Sequence, residues 1–235
     1  MTRGILVTRP AEDSAPLAEA LRQRGFTPLI EPMLTISYRD GPIPVKTGYQ
    51  AVLLTSANGA RALARLVSWR DLPVWAVGEA SAAQARELGF LSVRSAGGDV
   101  ASLAALVARE TDPTAGPFLQ IAASRLAGDL AGVLTAQGFA VEKSVLYDAL
   151  PALEFSRPLR SALTENALEA ALFFSPRTAA TFVTLAPEMA DSMKRIKALA
   201  LSPAVAEALA PLPWKRVVVA DRPEQARLLA LLDGD

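Results

Sequence analysis

Short runs of β-branched or leucine-rich residues recur along the chain. Each is followed by a polar turn and an alanine-rich amphipathic stretch. The runs are 5–8, 51–55, 74–78, 118–122, 170–174, 199–201 and 216–220. Apolar runs of this length between helical stretches predict βα units and a mostly parallel sheet. In the first unit, Ser14 is expected to cap a helix with Pro16 in its opening turn, where a missing N–H does little harm. Leu17 and Leu21 then share a face, and Gly25 follows as a left-handed cap. The dipeptide Gly25-Phe26 leads into a further strand at 28–32, and the same device returns at Gly89-Phe90 and Gly138-Phe139. Its spacing is irregular, so it marks repetition of one unit rather than a solenoid.

Longer segments also pair. LLTSANGARAL (53–63) is like LFFSPRTAATF (172–182), and WAVGEASAAQA (75–85) is like LALSPAVAEAL (199–209). Each pair sets a strand, a Ser or Gly turn and a helix start in one order, which predicts two similar α/β domains. Two segments break the pattern by strict alternation: 35–40, followed by Gly41, Pro42 and Pro44, and 143–148, ending at Pro151. Alternation fits half-buried strands, here an antiparallel two-stranded connector at about 35–39 and 144–149. The expected fold is α/β with two domains of mostly parallel sheet flanked by helices. Domain one is discontinuous, 1–35 plus 150–235, and domain two spans 40–143.

Composition narrows the chemistry. Half of the 235 residues are apolar and only 6% aromatic, with alanine and leucine filling the core. Lys plus Arg equals Asp plus Glu, and a nucleic-acid binder would show a basic excess. No apolar run reaches the roughly 18 residues of a membrane span. The opening Met1-Thr2-Arg3-Gly4-Ile5 runs straight into a strand pattern with no leader-like segment, which predicts a cytoplasmic protein. There is no cysteine and no histidine, so disulfides, thiolate nucleophiles, Cys/His metal sites and Ser-His-Asp catalysis are excluded. A glycine-rich nucleotide turn is missing, because the first turn reads Thr8-Arg9-Pro10-Ala11. A phosphate-receiver domain would end its first strand in paired acids, and Glu12-Asp13 come too late for that. On residues alone the reading stops at an α/β protein that binds a small anion, catalytic or not.

The ordered set of segments says more. LVTRPAEDSAPLAEALRQRGFTPLIEPMLTI, LLTSANGARAL, VWAVGEASAAQARELGF, LAGVLTAQGFAVEKSVLYDA, LFFSPRTAATF and LALSPAVAEAL together resemble uroporphyrinogen-III synthases over nearly the whole chain. Each segment is short and rich in small residues, and the order makes the match specific. Three positions depart from the family. Ser202-Pro203-Ala204-Val205 stands where Gly-Pro and threonines are common, Ala122-Ala123-Ser124-Arg125 lacks the usual glycine, and Ser81 replaces a common threonine.

The resemblance implies a lyase that closes hydroxymethylbilane, a linear tetrapyrrole with eight carboxylates, into uroporphyrinogen III. Water is lost, and the last ring is inverted through a spiro intermediate. It implies no cofactor and no metal, a monomer without membrane or nucleic-acid partners, and transient contact with the preceding hydroxymethylbilane synthase. Carboxylates suit helix N-termini, whose N–H groups are unpaired and whose dipole end is positive. Such turns gather at the carboxyl edge of an open parallel sheet, so an inter-domain cleft lined by them is expected. The substrate-binding candidates are therefore Arg9, Ser56, Asn58, Gly78, Ser81, Ser124, Arg125, Ser175, Arg177 and Ser202. Helix capping alone would also account for the serines and Asn58, and ion pairing for Arg9. Arg125 and Arg177 are expected in first helical turns, a poor place for an unused cation. Trp69, Trp75 and Trp214 are expected to pack. Tyr147 is the catalytic candidate, because the family places a tyrosine on that connector, where a phenol can protonate the departing hydroxyl.

Overall fold

The computed structural model describes residues 4–39, 45–125 and 128–233. Met1, Thr2 and Arg3 ahead of the first strand lie outside them. So do Asp40, Gly41, Pro42 and Pro44, expected to end the first alternating strand. The chain divides into two compact units, Met1–Thr35 with Leu150–Asp235, and Ile36–Ala149.

The first unit holds a five-stranded sheet built from β1 (Gly4–Val7), β2 (Thr27–Ile30), β9 (Leu168–Phe173), β10 (Lys197–Ala200) and β11 (Arg216–Val219). Its order is β11-β10-β9-β1-β2, and all four neighbouring pairs run parallel. Helix α1 (Ala11–Gln23) and α10 (Gln225–Ala230) cover one face, where Leu17, Leu21, Leu228 and Leu229 pack on Ile5, Val7 and Leu172. Helices α6 (Arg157–Thr164), α7 (Pro176–Leu185), α8 (Ala190–Met193) and α9 (Pro203–Leu209) cover the other, where Leu159, Phe182, Met193 and Leu209 cluster with Leu6, Ala171 and Phe173. Strands buried on both faces read as continuous apolar runs, which is why the pattern exposed them.

The second unit holds a six-stranded sheet ordered β3-β8-β7-β4-β5-β6. Its strands are β3 (Leu34–Tyr38), β4 (Val52–Leu54), β5 (Val74–Ala76), β6 (Val93–Ser95), β7 (Phe118–Ala123) and β8 (Val141–Pro151). Helices α2 (Ala57–Leu66) and α3 (Glu79–Glu87) pack on one face through Leu63, Ala82 and Ala85. Helices α4 (Val100–Glu110) and α5 (Leu130–Ala136) pack on the other through Leu103, Val107 and Leu134. The segments expected to form a connector are neighbouring strands of this sheet, with Arg39 N–H donating to Leu146 C=O at 2.9 Å. The second of them belongs to the eleven-residue β8, whose first half runs parallel to β7.

The two sheets share one plan. β2-β1-β9-β10-β11 and β8-β7-β4-β5-β6 match strand for strand, with β1-α1-β2 corresponding to β7-α5-β8. The pair that opens the first unit thus closes the second. The Gly-Phe device is a common C-cap. Phe26 N–H donates to Leu21 C=O at 3.0 Å and Gly25 N–H to Arg22 C=O at 2.9 Å, with Gly25 at φ +80°. That conformation favours glycine, and the buried phenylalanine pins the turn to the core. Phe90 and Phe139 repeat it. A fourth copy before β9 uses Asn166 at φ +55°, with Ala167 N–H on Ala162 C=O at 2.9 Å. No Gly-Phe marks that one.

The first helix starts earlier than expected. It begins at Ala11 after Pro10, and Ser14 lies inside it with its hydroxyl donating to the carbonyls of Pro10 and Arg9 at 3.0 and 3.2 Å. Pro10 already ends the extended segment, so the helix forms without a side-chain cap.

Two buried or half-buried polar groups of the second unit carry predictions. The Gln120 side chain on β7 is fully buried, and neither its amide nitrogen nor its oxygen has a partner among the described residues. An unsatisfied buried amide costs roughly 1–3 kcal/mol. Gln120→Leu is therefore expected to raise the melting temperature, and a drop would contradict the assignment. Tyr49 donates to Glu142 at 2.5 Å, and that hydrogen bond, with burial, pushes its phenol up to about 12. A raised folded value means the stabilisation is complete below the unfolded value of about 10 and is lost as pH climbs to about 12. Spectrophotometric titration should show a phenol ionising near the upper value that disappears in Tyr49→Phe. An unchanged titration would refute the link.

Candidate functional site

In a parallel sheet all strands point one way, so their carboxyl ends share an edge. Ligands bind outside that edge where successive connections leave for opposite faces. In the first unit this switch lies between β1, which continues to α1, and β9, which continues to α7. In the second it lies between β7, leading to α5, and β4, leading to α2.

At the first switch, Thr8 is fully buried and its hydroxyl donates to Leu172 C=O at 2.7 Å, fastening β1 to β9. Arg9 follows it. Its guanidinium lies 4.6 Å from the Phe174 ring centroid, donates to Gln225 Oε1 at 2.9 Å and stands 3.5 Å from Asp13. The side chain is thus already engaged by its own unit, as the ion-pair alternative expected. Ser175 caps α7 by accepting from Thr178 N–H at 3.2 Å, and its hydroxyl is 2.8 Å from that of Thr178. Arg177 is in the first turn of α7 and half-buried. Ser202, one strand outward, is at the N-cap of α9 without a side-chain cap bond. Val205 is buried in the core cluster beneath it.

At the second switch, Ser56 caps α2 by accepting from Asn58 N–H at 3.0 Å. Asn58 is not a cap. It is the second helical residue, buried, with its carbonyl taking a bond from Arg61 at 2.7 Å. Gly78 is the N-cap of α3, and Ser81, also expected as a cap, is the buried third residue of that helix. The Gly78 backbone is extended at φ −152°, a conformation any residue adopts. A Cβ there would come no closer than 3.7 Å to Gly98 C=O. The missing side chain therefore leaves the first N–H groups of α3 approachable.

Arg125 differs from expectation. It lies with Ser124 in an exposed bend after β7, while α5 starts only at Leu130 and is capped by Asp129, which accepts from Gly132 N–H at 3.1 Å. Asp129, four residues on, is the helix start that composition concealed.

Ser124 and Tyr147 meet at a bulge. Ser124 N–H donates to Tyr147 C=O at 3.1 Å. The β7–β8 register slips from Ala122↔Val145 to Ala123↔Tyr147, leaving Leu146 as an extra residue. Strict alternation would send Tyr147 to the face of half-exposed Val145. The slip turns it to the face of Leu146 instead, where its ring packs in the core of the second unit with 4% of its surface exposed.

The next residue, Asp148, was not singled out from sequence. Arg39 donates Nε and Nη2 to its two oxygens at 2.6 and 2.8 Å, joining β3 to β8. That pairing, with a further bond from the Ser124 side chain, holds the carboxyl at about 2. The opposite charges at the ends of the two alternating segments were the available signal.

Comparison with known proteins decides the family. A family model described as uroporphyrinogen-III synthase HemD matches residues 15–230. The chain belongs to the uroporphyrinogen-III synthase family. Members are cyclising lyases of tetrapyrrole synthesis. A uroporphyrinogen-III synthase from Chlorobaculum parvum (strain DSM 263 / NCIMB 8327) is 26% identical over 206 residues, covering 81% of this chain and 82% of its own length. The crystal structure of the uroporphyrinogen-III synthetase from Helicobacter pylori 26695 superimposes with a TM-score of 0.66 at 17% identity, over 98% of both chains. A mutant uroporphyrinogen III synthase from the extremely thermophilic bacterium Thermus thermophilus gives 0.59 at 20% identity, over 99% of this chain and 97% of its own. At these identities the two structures speak for the fold, and they share it along nearly the full length of this uroporphyrinogen-III synthase family chain.

Proposed function

We propose that the chain converts hydroxymethylbilane to uroporphyrinogen III, binding substrate carboxylates at the carboxyl-edge turns of its sheets. Backbone N–H groups carry most of that binding. The observation that carries this reading is the repeated switch point: each unit sets helix starts of α2, α3, α7 and α9 type along one edge, with small or capped residues in front of them. Ser56 and Ser175 already spend their hydroxyls on their own helices, Arg9 is engaged within its unit, and Val205 faces the core. Gly78, Arg125 and Ser202 contribute directly in this reading and Arg177 adds its charge, while Ser124, tied to Asp148 and Tyr147, joins Asn58 and Ser81 in shaping the turns.

The substrate supplies the electrons. Protonation of the terminal hydroxyl releases water and leaves an azafulvenium cation, which the far pyrrole attacks. The spiro intermediate then reopens and closes with the last ring reversed, returning a proton. The protein must fold the chain and hold its ends at reacting distance, a task that alone supplies a large rate factor. Tyr147 is the proton donor in this reading, with its ring held by the core of the second unit beside the β7–β8 bulge. The enzyme acts in the cytoplasm as a monomer that meets the preceding hydroxymethylbilane synthase transiently. Among the described residues no helix is long and apolar enough to cross a membrane.

Gly78→Val tests the binding mode. Valine fits the extended backbone but shields the N–H groups of α3. The variant is expected to melt as the parent does and to lose about tenfold in kcat/KM, the equivalent of one charge-assisted hydrogen bond, mostly through KM. Substrate consumption by the wild type no faster than spontaneous closure would overturn the function. An unaffected Gly78→Val would overturn the role of the α3 turn.

A further inference from the structure

The second unit carries a second polar feature, away from those turns. Tyr38, Arg39, Ala62, Arg65 and Leu66 line an open groove of about 340 Å³ between the end of β3 and the last turn of α2. Arg65 is about 13 Å along the helix from the Ser56 cap, at 1.5 Å per residue, so the groove is not part of the carboxyl edge.

Its charges do not balance. Arg39 spends Nε and Nη2 on Asp148 and has Nη1 left over. Arg65 lies over the Tyr38 ring, 4.7 Å from its centroid, and is exposed. That contact holds the cation near the ring through its positive charge, an attraction that needs no carboxylate. No carboxylate among the described residues pairs with Arg65. Among the described residues at the groove, two guanidinium groups and one carboxylate leave a single positive charge. Beside it, half-buried Leu66 offers a small apolar wall, with the buried Ala62 behind it at i and i+4 spacing on the same helix face.

We propose that this groove binds one carboxylate of a small organic acid, with Arg65 and the free edge of Arg39 on its oxygens and the apolar body of the acid against Leu66. A planar carboxylate matches the guanidinium fork and neutralises the residual charge. A doubly charged phosphate would overcompensate it and would make no use of the apolar wall.

The test is an amide chemical-shift titration of the full-length protein at low salt, with 3-phenylpropionate as probe and inorganic phosphate as the competing anion. Saturable shifts are expected at Tyr38, Arg39, Ala62, Arg65 and Leu66, with phosphate binding more weakly. Arg65→Gln should weaken 3-phenylpropionate about tenfold, the loss of a charge-assisted contact, and Arg65→Lys should fall between. Arg65 is a surface side chain, so unchanged shifts elsewhere in the spectrum will show that the variant is folded. Shifts confined to other residues, phosphate binding as tightly as the acid, or an Arg65→Gln affinity equal to the parent would each overturn the proposal. The outcome does not depend on turnover, so it can fail or succeed apart from the ring-closure reading.

Discussion

Tyr147→Phe is expected to fold like the parent and to turn over roughly 10²-fold more slowly, at the lower end of what a positioned general acid contributes. The two halves of this result have separate causes. The ring is packed in the second unit beside Leu146, and phenylalanine refills that space, so lost stability should stay near the roughly 1 kcal/mol of one hydrogen bond. The lost hydroxyl removes the proton for the departing water. A fall in kcat with little change in KM and a melting temperature within a few degrees of the parent would fit this role. A tyrosine that only packs predicts an unchanged kcat, and that outcome would remove Tyr147 from the chemistry.

Phe182→Ala is expected to unfold the first unit far more easily. Phe182 is fully buried, with Phe155, Phe173 and Trp214 at centroid distances of 4.9, 5.3 and 5.6 Å. It joins α7 to the segment that leads into α6 and to β9, the central strand of its sheet. Removing a buried phenylalanine ring costs about 3–5 kcal/mol through lost transfer energy and the cavity left behind. For a unit of this size the melting temperature should fall by on the order of 10 °C. Trp214 emission will follow the change, because Trp214 stacks on the lost ring and donates Nε1–H to Leu209 C=O at 3.0 Å. Trp69 and Trp75 belong to the other unit and give an internal comparison. A melting temperature unchanged within about 2 degrees, against that expectation, would contradict the packing described.

The fold was legible because parallel strands covered on both faces must be apolar throughout, and the helices between them must show one apolar stripe. Runs such as 5–8 and 118–122 could hardly be anything else. The Gly25-Phe26 cap was readable for a local reason, since φ +80° favours glycine. The Asn166 cap was missed because asparagine tolerates the same conformation without announcing it. Ser14 and Arg125 were misplaced for a related reason. Residue type points to Ser14 and to a first turn at Arg125, whereas Pro10 and Asp129 set the helix starts.

The site was less legible. Ser56 and Ser175 are at strand-to-helix turns as expected, yet nothing in composition distinguishes a hydroxyl spent on its own helix from one offered to a ligand. The orientation of Tyr147 depends on one extra residue in the β7–β8 register, which alternation cannot reveal. The Arg39–Asp148 bridge needs two segments 109 residues apart in the chain to become neighbours.

Closure of hydroxymethylbilane with its last ring inverted is the reaction proposed for this fold. The most direct measurement supplies enzymatically made hydroxymethylbilane to the purified protein, oxidises the products and separates the isomers. Type III product is expected in large excess over type I. Type I alone, the product of spontaneous closure, would contradict it.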